Sequence, residues 1–104
     1  MNELTVQEFK KMRDAGLPHQ LIDVRELHEY EISNIGGEHI AMALIPLNLD
    51  KVRRDVPVIL QCRSGGRSGQ ITRFLEAQGF TNVSNLQGGL QAWAREIDPG
   101  MQVA

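Results

Sequence analysis

Val58-Ile59-Leu60-Gln61-Cys62-Arg63-Ser64-Gly65-Gly66-Arg67-Ser68 is the stretch on which the reading of this chain turns. Its aliphatic opening reads as a buried strand over residues 56–61, with Pro57 tolerated near the start. The chain's one cysteine follows, then a tight glycine–arginine turn and a helix that Ser68 is expected to cap. Strand, turn and helix in that order aim backbone N–H groups and the positive end of a helix dipole at whatever occupies the turn. Here that is a sulfur atom flanked by Arg63 and Arg67.

The flanking segments continue the pattern. Thr5-Val6-Gln7-Glu8 fits a capping box, in which the Thr5 hydroxyl and the Glu8 carboxylate each satisfy an amide at a helix start. Val6, Phe9 and Met12 form the apolar stripe of that helix, which Gly16 and Pro18 close. Residues 20–24 read as a short strand, apolar until Asp23. Residues 26–31 read as a short acidic helix, broken by Ile35-Gly36-Gly37. Residues 39–47 are apolar enough for a strand, although Ala41 to Leu44 would also suit a helix, and Pro46 ends either. Residues 48–55 read as a short helix or loop. Beyond the cysteine turn, Ile71, Phe74 and Leu75 face inward on a helix stopped by a left-handed Gly79. A strand over residues 82–86 leads through Gly88-Gly89 to a last helix over residues 90–97 that buries Trp93. Gly88, Gly89 and Trp93 read as packing residues.

Strands alternating with helices define an α/β fold with a mainly parallel sheet. Ligands of such sheets bind at the carboxyl ends of the strands. Asp23 and Cys62 both fall there, so the chain order brings them near one another. With 104 residues, residues 1–104 are expected to form a single domain. A net charge of −2 argues against nucleic acid as a partner. No apolar run approaches a membrane span, and the first residues lack the layout of a secretory signal, so a cytoplasmic protein is expected. One cysteine excludes an intramolecular disulfide, a dithiol redox cycle and a cysteine-rich zinc site. No metal and no cofactor is expected.

A lone cysteine is often an inert core residue. This one is followed by arginine, a glycine pair and a second arginine, which a core position does not call for. A helix N-terminus and nearby guanidinium groups lower a thiol's pKa and favour the thiolate. No histidine stands out as its base: His19 falls in a turn and His28 in an acidic segment, leaving His39 as the third. Cysteine-dependent phosphatases place five residues between cysteine and arginine to enclose a phosphate, whereas Cys62 and Arg67 enclose four. The smaller ring favours a terminal sulfur atom over a tetrahedral oxyanion.

Leu21-Ile22-Asp23-Val24-Arg25 with Glu29-Tyr30, then Cys62 to Ser68, then Leu86-Gln87-Gly88-Gly89-Leu90-Gln91-Ala92-Trp93 stand in a fixed order across nearly the whole chain. On these motifs the chain resembles the single-domain rhodanese-like sulfurtransferases. The resemblance implies a rhodanese-like, five-stranded sheet with helices on both faces. It also implies that Cys62 is the catalytic residue and carries sulfane sulfur as a persulfide, taken from thiosulfate or a similar small anionic donor. A thiol or carrier protein would then accept the sulfur. Arg63, Ser64, Gly65, Gly66, Arg67 and Ser68 would bind the donor and cradle the sulfur, while Asp23 and Arg25 brace the site. Asn34 to Gly37 and residues 93–99 are similar to rhodanese domains fused to ubiquitin-activating-like adenylyltransferases, but Ala41 stands where many relatives have proline. A non-catalytic binding module and a cysteine-dependent phosphatase are the alternatives.

Overall fold

The structure is a computed structural model that describes residues 1–104. Five strands, β1 (Glu3–Leu4), β2 (Gln20–Asp23), β3 (Glu38–His39), β4 (Val58–Gln61) and β5 (Val83–Leu86), form one sheet in the order β1-β5-β4-β2-β3. Every pairing is parallel. Four α-helices complete the architecture: α1 (Val6–Asp14), α2 (Leu27–Ile32), α3 (Gly66–Ala77) and α4 (Gly89–Glu96). No helix is long and apolar enough to cross a membrane.

The alternation of side chains along each strand sorts the core into two layers. Ile22, Val24, Val58 and Leu60 face α3, where they meet Ile71 and Leu75. Leu21, Ile59 and Leu86 face α1 and α4, packing against Val6, Phe9, Leu90 and Trp93. β4 lies at the sheet's centre with all four residues buried, which is why its sequence shows an unbroken run rather than alternation. Burying each of its aliphatic side chains is worth about 1.5–3 kcal/mol. The central strand that positions Cys62 is therefore the most firmly held in the sheet.

The Thr5 capping box forms, with Thr5 N–H donating to Glu8 and Glu8 N–H to the Thr5 hydroxyl at 2.9 and 3.1 Å. Three local expectations need correction. The apolar segment 39–47 is a strand only at its start. The amides of Ile40 and Met42 still reach the carbonyls of Asp23 and Val24, but then β2's neighbour turns away and Met42–Leu47 winds into a 3-10 helix. Such a short helix tolerates Pro46 because few of its amides have an internal partner. Ser68 does not cap α3: the entry is Gly65, at φ +99°, so Ser68 sits buried in the first turn with its hydroxyl facing the site. The two-residue β1 was not anticipated, since a strand that short leaves no periodic trace.

Arg25 is the largest fully buried side chain in the molecule. Its Nη2 donates to Asp23 Oδ2 at 2.8 Å and its Nε to Oδ1 at 3.0 Å, so the two charges are buried as a pair. The remaining donors reach the carbonyls of Ser33 at 2.7 Å and Ala104 at 2.6 Å. One guanidinium thus ties the end of β2 to the end of α2 and to the last residue of the chain. Replacing Arg25 by methionine leaves the buried Asp23 carboxylate without its counter-charge, with only the residue 25 amide still donating to it at 3.1 Å, and is expected to cost about 3–5 kcal/mol, read as a lower denaturant midpoint in equilibrium unfolding.

Candidate active site: a thiol cradled by loop amides

Cys62 leaves the end of β4 and is buried. Its Sγ accepts the Gly65 N–H at 3.1 Å and lies 3.3 Å from Ser68 Oγ. Burial pushes the thiol pKa up. The Ser68 hydroxyl and the amides of Ser68, Gly65 and Ser64 outweigh that and hold it below the ordinary thiol value. The expectation of a cradled, acidified thiol is thus met by hydrogen bonding more than by the arginines.

The loop holds this shape because its carbonyls are occupied elsewhere. The carbonyl of Cys62 accepts the Leu90 N–H at 2.9 Å and Gln61 Nε2 at 2.7 Å, and the carbonyl of Arg63 accepts the Gln91 N–H at 2.9 Å. Because a peptide's N–H and C=O point in opposite directions, the grip on the Arg63 carbonyl turns the Ser64 amide toward the sulfur. This contact brings the start of α4 against the loop backbone, and only glycine allows it. A Cβ on Gly89 (φ +57°) would stand 2.5 Å from the Cys62 oxygen and 2.7 Å from the Arg63 carbonyl carbon. Gly89, read from the sequence as packing, is a structural part of the cradle.

Asn85, buried on β5, completes it from below. Its Nδ2 donates to the Gly65 carbonyl at 3.2 Å and to the Glu3 carboxylate, and its Oδ1 accepts from Ser68 Oγ at 2.5 Å. The Ser68 hydroxyl has one proton and two acceptors, Asn85 and the sulfur.

The two arginines differ. The Arg63 side chain is exposed and makes no hydrogen bond or ion pair within the chain. Arg67, expected to hold a donor's oxyanion, forks onto Glu29, with Nη1 to Oε1 at 2.7 Å and Nη2 to Oε2 at 2.9 Å. That pairing holds the Glu29 carboxyl down to about 2, so it stays ionised in any ordinary buffer. Glu29 Oε1 also accepts the Glu26 N–H at 3.0 Å in the capping box of α2. Ser64 and Gly66 lie exposed on the loop, and Asp23 and Arg25 stand behind it as the buried pair. The three histidines lie apart from the sulfur: His39 Nε2 meets the Arg25 carbonyl at 2.6 Å, His19 Nδ1 meets that of Leu17, and His28 is exposed on α2. Glu29, Asn85 and Gln61 were not singled out for a role in the sequence. Asn85 left a signal, as a polar residue within an otherwise buried strand end; the pairing of Glu29 with Arg67 across 38 positions left none.

The family described as the Rhodanese-like domain matches residues 5–96. The adenylyltransferase and sulfurtransferase MOCS3-1 of Zea mays is 33% identical over 108 residues, covering 96% of this chain but 23% of its own length. The chain therefore spans less than a quarter of that relative. YtwF of Bacillus subtilis, whose name carries a provisional sulfurtransferase assignment, is 35% identical over 100 residues, covering 95% of this chain and 96% of its own. Among solved structures, the rhodanese-like domain protein of Staphylococcus aureus superimposes with a TM-score of 0.85 at 30% identity, covering 100% of this chain and 99% of its own.

Two substitutions test the cradle. Ser68→Ala removes a hydrogen bond that favours the charged form, so the Cys62 thiol pKa should rise. In iodoacetamide alkylation rates measured against pH, the midpoint should move toward that of an unperturbed thiol, with the wild-type midpoint below it. Gly89→Ala should destabilise the chain by roughly 1–3 kcal/mol through backbone overlap and slow alkylation at neutral pH, because the loop amides can no longer converge on the sulfur.

Proposed function

The chain belongs to the rhodanese-like domain family, and from that premise we infer that it is a sulfurtransferase working through a persulfide on Cys62. One observation carries the reading: the chain's single cysteine ends the central strand with its sulfur accepting a loop amide and facing the Ser68 hydroxyl at a helix entrance. This environment suits a thiolate nucleophile, and then the extra sulfur it acquires.

The Cys62 thiolate attacks the outer sulfur of a donor such as thiosulfate. A new S–S bond forms to Cys62 while the donor's own bond to that sulfur breaks, its electron pair leaving with sulfite. The persulfide's negative charge is then stabilised by loop amides that need no rearrangement to meet it. An acceptor nucleophile, a thiol or a carrier protein, attacks the terminal sulfur next and restores the thiolate. As in thiol–disulfide exchange, the thiolate fraction and the leaving group's acidity govern the rate. With no second cysteine in the chain, no internal resolving step can compete, and unloading is intermolecular. Within this reading Arg63 is the guanidinium free to meet an incoming anion. Asp23 and Arg25 support the loop from behind.

Intact-mass analysis after incubation with thiosulfate or a persulfide donor should show one added sulfur on the wild type and none on Cys62→Ser. Transfer to cyanide should fall to background in the same variant. A wild-type protein that loads from no donor would instead be a binding module, and turnover of an aryl phosphate would point to a phosphatase.

A further inference from the structure

Arg67, for which the resemblance implies oxyanion binding, has its guanidinium engaged by Glu29 through two parallel hydrogen bonds of 2.7 and 2.9 Å. The pair is partly shielded, with side-chain exposures of 35% for Arg67 and 14% for Glu29, so solvent screens it less than an open surface pair. Arg67 also feels the charges of Cys62 and Glu26, which places all four groups in one neighbourhood. The mouth of the loop therefore holds Arg63 and Arg67 against Glu26, Glu29 and the thiolate itself. That is a poor field for a dianion approaching an anionic nucleophile.

Resting on the persulfide reading above, we propose that Glu29 is a specificity-determining residue that, by neutralising Arg67, turns the site away from oxyanion donors such as thiosulfate and toward persulfides on carriers of low charge. With thiosulfate, the thiolate must meet a dianion, form its S–S bond and release sulfite, still a dianion. Every species along the way asks for cations, and Glu29 has already occupied Arg67, leaving Arg63 alone to meet them. With a persulfide R–S–SH, the thiolate attacks the outer sulfur, Cys62–S–SH forms, and R–S⁻ leaves with the electron pair of the broken bond. The proton stays with the transferred sulfur, no oxidant or reductant is needed, and charge on the donor side never exceeds one. The backbone amides suffice for that reaction, while the carboxylate excludes the more highly charged competitor.

Glu29→Gln removes the charge and keeps an oxygen able to accept the Glu26 amide, so the α2 cap and the fold are retained; circular dichroism checks this. The rate of Cys62 persulfidation is measured by mass for thiosulfate and for the persulfide of N-acetylcysteamine, an uncharged carrier. Freeing a partly buried guanidinium for a charged hydrogen bond should raise kcat/KM for thiosulfate by about tenfold. It should make that reaction weaken with added salt and leave the N-acetylcysteamine persulfide rate nearly unchanged. The gain should vanish in the Glu29→Gln, Arg67→Met double variant. Persulfidation by both donors with an unchanged ratio in Glu29→Gln, or a gain that survives loss of Arg67, would overturn this proposal alone. Failure of both donors to load wild-type Cys62 would overturn the persulfide reading and the proposal with it.

Discussion

A backbone amide can face the Cys62 sulfur only when the carbonyl of its own peptide is held the other way, and much of the structure serves that requirement. The Gln91 amide in the first turn of α4 takes the Arg63 carbonyl and so turns the Ser64 amide to the sulfur, while the Leu90 amide and the Asn85 side chain fix the loop through the carbonyls of Cys62 and Gly65. These partners come from α4 and β5, so the cradle exists only once β4, β5 and α4 are assembled. The glycine at position 89 is the point where this demand becomes most severe, since the two backbones meet at a distance that leaves no room for a Cβ. Helix ends supply two kinds of group here. The start of α3 offers amides to the sulfur, while the start of α4 is spent on orienting the loop.

Charge is organised around the same loop in two tiers. Behind it, Asp23 and Arg25 are buried together, and Arg25 also gathers the carbonyls of Ser33 and Ala104. Such a pair adds little net stability by itself, but losing either member strands the other. In front of it, Glu29 both closes the α2 cap and grips Arg67, so a helix that buries no side chain of its own is anchored to the first turn of α3 by its carboxylate. The pair draws its strength from ionisation of Glu29. That contribution is complete above the ordinary carboxyl range and is lost as pH falls toward about 2, where the folded protein finally takes up the proton.

Much of this was legible in the chain. The unbroken aliphatic run before Cys62 identified a strand buried on both faces, and alternation of strands with helices implied a parallel sheet, which β1 to β5 form throughout. The Thr5 capping box formed as read. The segment after β3 misled because apolar content alone cannot distinguish a strand from a 3-10 helix; what separates them is how long β2 keeps running alongside. Ser68 misled because a serine at a helix start usually caps it, and only the left-handed geometry at Gly65 shows that the helix has begun earlier. That shift carries the hydroxyl from a helix end to the sulfur.

By itself the sequence determined the class of fold, the place of the single cysteine at the mouth of a parallel sheet, and a turn of four residues between Cys62 and Arg67. These follow from local rules: hydrophobic period, glycine at a turn, residue spacing. Only the tertiary structure decided which groups reach Cys62 and which charges remain free. Arg67 and Glu29 are 38 positions apart, Cys62 and Leu90 28, and Asn85 and Glu3 82. Hydrogen bonds are satisfied across space rather than along the chain, so an arginine that looks free in one dimension is found already held in three.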